Sequence, residues 1–414
     1  MKGLGGGRVL RVPPSPTTSA GPATATAAGV RATYAAFIAT GFAFASWASE
    51  IPQVRDRLGL SSAELGLVLL AIAAGSVISL PLAGPVVAHI GSRRTVQLMA
   101  LVDAVALVVV GLGYLGGVVP VVVGLFFFGF GQGAWDVAMN VQGAVVERRL
   151  GRAIMPRFHA GFSIGTVGGA LSGAALVGLG VGVTVHLVVV GAVVAAAVPF
   201  AVRGFVPDTE ERAPGDDPTP ERRSALAAWR EPRTLLVGLF VLAFAFAEGT
   251  GNDWSSVALI DGYGTSRVVG ILGFATFLAA MTAGRWFGPG LLDRYGRVAV
   301  CRVMAAASVV GLLLFVFGGH PALAFVGAVL WGAGLSLGFP VGMSAGADDP
   351  AHAASRVSVI ASVGYLAFLG GPPLIGFLGE HVGVLRALTA VAVLLAMAAA
   401  IAGTVRPLPA PDRR

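Results

Sequence analysis

The sequence predicts an all-α integral membrane protein: twelve transmembrane helices in two bundles of six. Three observations predict it. The 414-residue chain is 56% hydrophobic and only 12% charged, with a mean hydropathy of +0.82, whereas an ordinary soluble domain carries about 25% charged residues. Apolar runs of the length a bilayer requires, about 20 residues each, recur along it. The two halves of the chain also repeat one another in order.

Residues 1–31 are rich in Gly, Pro, Thr and Ala and contain no acid, the composition of a disordered tail. They lack the apolar core of a cleavable signal peptide, so insertion is expected to begin with the first spanning helix. The first six spans are expected near 32–50, 64–88, 95–115, 120–146, 158–180 and 183–202, forming an N-terminal bundle over 32–202. Residues 203–233 are polar and dotted with proline. They read as a flexible linker ending in a short surface helix around 224–229. The second six spans are expected near 234–260, 266–291, 298–318, 321–345, 354–378 and 384–405, forming a C-terminal bundle over 234–405 before a tail at 406–414.

The net charge of +7 comes almost wholly from arginine, since Lys2 is the only lysine. The arginines gather in alternate loops: Arg93 and Arg94 after span 2, Arg148, Arg149, Arg152 and Arg157 after span 4, then the linker, Arg294 and Arg297 after span 8, and Arg406, Arg413 and Arg414. Loops 116–119, 180–182 and 318–320 carry none. This asymmetry places both termini in the cytoplasm. It also explains the basic balance without nucleic acid as a partner. Cys301 stands alone and the six histidines are scattered, so neither a disulfide, a metal site nor a cofactor is expected.

The repeat is visible in short matches. Phe42-Ala-Phe-Ala45 recurs as Phe244-Ala-Phe-Ala247, and His89-Ile-Gly91 sits where Arg294-Tyr-Gly296 sits. Gly161-Phe162 and Gly168 correspond to Gly364-Tyr365 and Gly371. A duplicated six-helix unit with a linker is the architecture of transporters that bind substrate at the midplane between halves.

Span 4 carries the strongest functional signal. Gly129, Gln132, Gly133, Asp136, Asn140, Gly143 and Glu147 fall on one helix face. Such a face cannot meet lipid, because an ionisable group at the bilayer centre costs about 2.5–3.5 kcal/mol or more. It is either a packing seam or a transport site. A carboxylate in a low-dielectric cavity can load and release a proton near neutral pH, which makes Asp136 the first candidate for proton coupling. Glu248 in span 7 is the second, with Asn252 one turn on and flanking glycines that allow local unwinding; its alternative is a structural acid. Glu50 and Asp253 lie nearer the outer face and read as solvated or gating charges. Asp103 in span 3 is expected to pair with Arg93 or Arg94. His159 is either a proton relay or a helix anchor. A sugar needs aromatic faces and hydrogen-bonding groups, for which Trp47, Trp135, Trp331, Gln132, Asn140, Asn252 and Tyr365 are candidates. Tryptophans near span ends equally suit the membrane interface.

Asp293-Arg-Tyr-Gly-Arg297 after span 8 is similar to the cytoplasmic loop signature of the major facilitator superfamily, and the resemblance covers nearly all of the chain beyond the tail. It implies the six-plus-six fold, a monomer in the plasma (inner) membrane, and a loop gate involving Arg93, Arg94, Asp293, Arg294 and Arg297. In the first-half copy Ala88 stands where the family usually has Asp, so the charge lock is expected to rest on the second half. Asp136-Val-Ala-Met-Asn140 resembles the acid-x-x-x-Asn element of the fucose permease branch of sugar–proton symporters. That resemblance assigns proton coupling to Asp136 and places Asn140 beside the substrate. The branch also has an acid a few residues before an Ile-Pro-Gln. Here Glu50-Ile-Pro-Gln53 brings the acid against the proline, where it is a second candidate relay.

The resulting expectation is proton symport of a sugar or similar polar solute, with substrate, protons and lipid as partners. The rival is proton-driven export of drugs or metabolites. Gly165-Thr-Val-Gly-Gly169 lacks the proline and spacing of the exporters' helix 5 element, which disfavours it. No phosphate-binding loop or nucleophile–base pair appears, so an enzyme or sensor is the remote alternative.

Overall fold

The computed structural model describes residues 22–151, 154–208, 227–349 and 352–408. Twelve helices among them are long and apolar enough to cross a membrane. Spans 1–6 are Thr24–Leu58, Ser62–Ile90, Ser92–Gly113, Val118–Leu150, Met155–Gly178 and Val183–Gly204. Spans 7–12 are Pro232–Tyr263, Arg267–Phe287, Arg297–Phe317, Pro321–Gly346, Ser355–Val382 and Val384–Val405.

The first helix starts earlier than the composition suggested, at Pro22 rather than near residue 32. Proline suits the first helical position, and the alanines that follow are the best helix formers, so nothing in 23–31 halts the helix. The rest of the expected disordered tail, residues 1–21, lies outside the described residues, as do 209–226 of the linker and with them the first half of its surface helix. The linker's start is packed: Phe205 and Val206 are buried.

Span 1 is broken. Pro22–Ala48 stops two residues before a short helix, Ile51–Leu58, which begins after Glu50 with proline in its first turn. Gly59 ends it at φ 64°, and a reciprocal cap between Ser61 and Glu64 starts span 2. After spans 2 and 8 the two halves turn alike: Gly91 has φ 83° and ψ 156°, Gly296 φ 76° and ψ 158°. An L-residue rarely adopts that conformation. The sequence repeat is thus a conformational repeat.

Packing obeys the same rule. In the first half, span 2 packs on span 4, 3 on 4, 1 on 5 and 3 on 6. In the second, 8 packs on 10, 9 on 10, 7 on 11 and 9 on 12, each pair the former plus six. Between halves, spans 2 and 11 meet, and so do 8 and 5. Backbones touch where glycines align: a Cβ on Gly75 or Gly129 would strike Phe126 O or Ile72 O, locking spans 2 and 4.

The halves are tied at the face opposite the termini. Arg55 donates to Asp261 and Arg267 to Asp56 (2.9 Å each), and the Ala63 amide donates to Glu380 (3.3 Å). Gly66 lies against the Pro372 carbonyl and Gly376 against that of Ser62.

Candidate substrate site between the halves

The polar face of span 4 divides its work. Gly133 lies against Ser76 and Ser79 of span 2, and Gly143 against Met155 and Phe158 of span 5. Glu147 accepts from the amides of Ile154 and Met155, both at 2.7 Å, and so caps span 5. Asp136 and Asn140 remain partly exposed. The Asn140 amide donates to the Asp136 carboxylate (3.1 Å) and to its carbonyl (2.8 Å). Among the described residues no cationic side chain bonds Asp136, and Tyr365 of span 11 lies within its electrostatic range across the halves.

Gln132, expected to meet substrate, is engaged inside the first bundle. It accepts from Thr40 (2.6 Å) and donates to Asp103 (2.5 Å). This corrects the pairing expected for Asp103. The acid is fully buried and bonds an amide, while Arg93 and Arg94 are exposed. Two turns of helix separate it from that loop, too far for either guanidinium to turn back into the bundle.

Glu248 also has a partner that the sequence reading missed. Arg285 of span 8 donates to both its oxygens, at 2.8 and 2.9 Å. Their side chains are 20% and 22% exposed, so the pair is partly open to water. Arg285 is also within electrostatic range of the exposed His159 of span 5, whose ring packs on Phe37. The signal was available: an arginine inside the apolar run 266–291 is as unusual as Asp136 in span 4.

The three candidate tryptophans are buried in this structure. Trp47 is 1% exposed, and Trp135 and Trp331 are 0%. A side chain without exposed surface offers no face to a solute. Trp331 instead packs between Phe277 and Phe315, at ring separations of 4.9 and 5.7 Å. Trp135 precedes Asp136, about 100° around the helix, and so points into the bundle. Asn252 is partly exposed, with its carbonyl oxygen buried and unpartnered. Glu50, read as a solvated or gating charge, is not solvated: it is fully buried, bonded to Gln53 and His186.

The family model of the Major Facilitator Superfamily matches residues 32–369. The chain belongs to this superfamily. It is a multi-pass membrane transporter of a small molecule, and two of its relatives carry transporter names. An uncharacterised transporter of Sinorhizobium fredii is 31% identical over 84% of this chain and 91% of its own. An uncharacterised MFS-type transporter of Yersinia pestis is 31% identical over 89% and 94%. Among solved structures, the nucleoside transporter NupG superposes with a TM-score of 0.72 at 16% identity, covering 91% of this chain and 98% of its own. An inward-facing, unoccupied bacterial homologue of the human lysosomal transporter Spinster gives 0.74 at 14%, covering 95% and 100%. At those identities the likeness is one of fold.

Among the described residues, the transporter's loop residues do not bridge the halves. Arg93, Arg94, Asp293 and Arg294 are exposed, and Arg294 lies over the Tyr295 ring at 5.2 Å. Arg297 instead binds Asp348 (2.6 Å) and Ser344 (2.8 Å) of its own half, and Arg233 shares Asp348. In the first half, where Ala88 replaces the usual acid, the linker supplies one: Asp208 accepts from the Ser92 amide and hydroxyl (2.5 and 2.6 Å), capping span 3.

Proposed function

We propose that the transporter is a proton symporter of a sugar or similarly hydroxylated solute, and that Asp136 carries the coupled proton. One observation carries the reading. Asp136 is an interior acid between the halves whose hydrogen-bond partner among the described residues is an amide, whereas Glu248 is neutralised by Arg285. An uncompensated charge must be neutralised before the halves close over it and exclude water. A proton does this with the least disturbance.

Asn140, Tyr365 and Asn252 supply hydrogen-bonding groups of the kind that orient a hydroxylated solute. The Glu248–Arg285 pair contributes a fixed dipole from the second half. The arginine-rich loops support a cytoplasmic position for both termini. On that orientation the structure is closed to the outside, and the protein works as a monomer in the plasma membrane. The test is proton movement into proteoliposomes challenged with neutral sugars and nucleosides, the latter because a transporter of this fold carries them. Inward proton flux evoked by one of these solutes is expected. Proton release evoked by hydrophobic cations, without any sugar or nucleoside response, would instead make the protein an exporter.

A further inference from the structure

The break in span 1 holds a second cluster of ionisable groups, remote from Asp136 and toward the closed face. Glu50 is fully buried. Its Oε1 meets His186 Nδ1 of span 6 at 2.5 Å, and its Oε2 accepts from Gln53. The other imidazole nitrogen, Nε2, is buried with no partner. Gly173 of span 5 packs against the break, where a Cβ would strike Ser49 Oγ.

Two features connect this pair to transport. Glu50 immediately precedes the short helix Ile51–Leu58, which carries Arg55 and Asp56, the first half's share of the ion pairs that close this face. Gln53, the residue bonded to Glu50, also lines a crevice of about 300 Å³ with Asp56, Arg57, Tyr114, Gly182, Val183 and Arg267. The buried pair is therefore one side chain away from a surface opening.

We propose that Glu50 and His186 form a second proton-binding site, one that holds a proton while this face is closed and exchanges it when the face opens. Buried, the pair has to be neutral as a unit, which needs one proton shared between carboxylate and imidazole. Opened to water, the carboxylate is hydrated and no longer needs that proton to be neutralised. Opening thus releases a proton, so acid on this side favours closure. The linkage limit is a tenfold change in the closed-to-open ratio per pH unit for one proton.

Other charged groups surround the pair. They are Arg55, Asp56 and Arg57 on its own segment, Glu64 of span 2, Asp253 and Asp261 of span 7, Arg267 of span 8 and Glu380 of span 11, with Tyr114 beyond span 3. Spans 5 and 6 bring no charged group to this end besides His186. The other histidines toward this face, His320 before span 10 and His381 beside Glu380, are exposed and belong to the second half.

The experiment measures the distance between spin labels on Leu115→Cys and Val382→Cys, exposed positions on this face in opposite halves, from pH 5 to 8. In the otherwise native transporter the short-distance population should grow as pH falls. Glu50→Gln keeps a donor for His186 and an acceptor for Gln53 but removes the need for a proton, so its distances should not respond to pH. His186→Gln, a second route should the first variant not fold, should move the transition to lower pH. A native protein without pH dependence, or either variant with the native profile, would overturn the proposal. The outcome is independent of Asp136, whose role is read by coupled flux rather than by closure of this face.

Discussion

Asp136 and Glu248 are both carboxylates partway along a spanning helix, one in each half, and both keep some exposure. Their environments differ in one respect. Glu248 rests on the Arg285 guanidinium, while among the described residues Asp136 has the Asn140 amide and no cation. An ion pair satisfies the membrane's demand for neutrality permanently, and an amide does not. The same residue type is thereby a fixed element in one half and, in our reading, the moving charge in the other.

The largest effect expected from breaking this contrast is at Arg285. Arg285→Gln leaves Glu248 without its cation, which costs about 3 kcal/mol for a buried pair, the lower end of the range because the pair is partly open to water. Transport should fall at least tenfold and thermal stability should drop. Glu248→Gln should impair transport while the protein still inserts. The double variant should recover most of the lost stability, because no charge is left uncompensated. Stability of the three variants in detergent, measured beside uptake, checks this. Equal losses in the double variant and in Arg285→Gln would mean that the arginine acts elsewhere.

The smallest expected effect is at the surface. Arg356 hydrogen-bonds Glu231, just ahead of span 7, and holds its carboxyl below the ordinary range. A lowered folded-state value stabilises the protein above the ordinary carboxylate range, and the gain is lost as pH falls through the lowered value. Glu231→Gln should therefore cost below about 1 kcal/mol near neutral pH and nothing in strong acid. Thermal unfolding at pH 7 and pH 3 checks it.

The sequence made the fold legible because a bilayer leaves few alternatives. Apolar runs of fixed length must be helices, arginines orient them, and the repeat relates the halves. The inner arrangement of polar groups was harder to read. Asp103 was matched with the nearest arginines along the chain, yet its partner is Gln132 on the adjacent span 4. Arg285 was counted within a span and not weighed as an intramembrane charge, although the rule applied to Asp136 covers it. Glu50 reads as a solvated or gating charge because it lies at the end of a span. Burial at that break comes from His186, 136 positions away, and no local pattern reports such a contact. The tryptophans show the same limit: their type suits a sugar, but the direction in which they point decides their role.

The central claim, that Asp136 is the coupled proton carrier, is tested most directly by comparing two modes of transport in Asp136→Asn. Asparagine keeps the size and the acceptor for Asn140 but cannot be loaded with charge. The account predicts that proton-driven accumulation and substrate-evoked proton uptake vanish, while exchange of labelled for unlabelled substrate across the membrane persists. Proton uptake that survives unchanged in Asp136→Asn would contradict it.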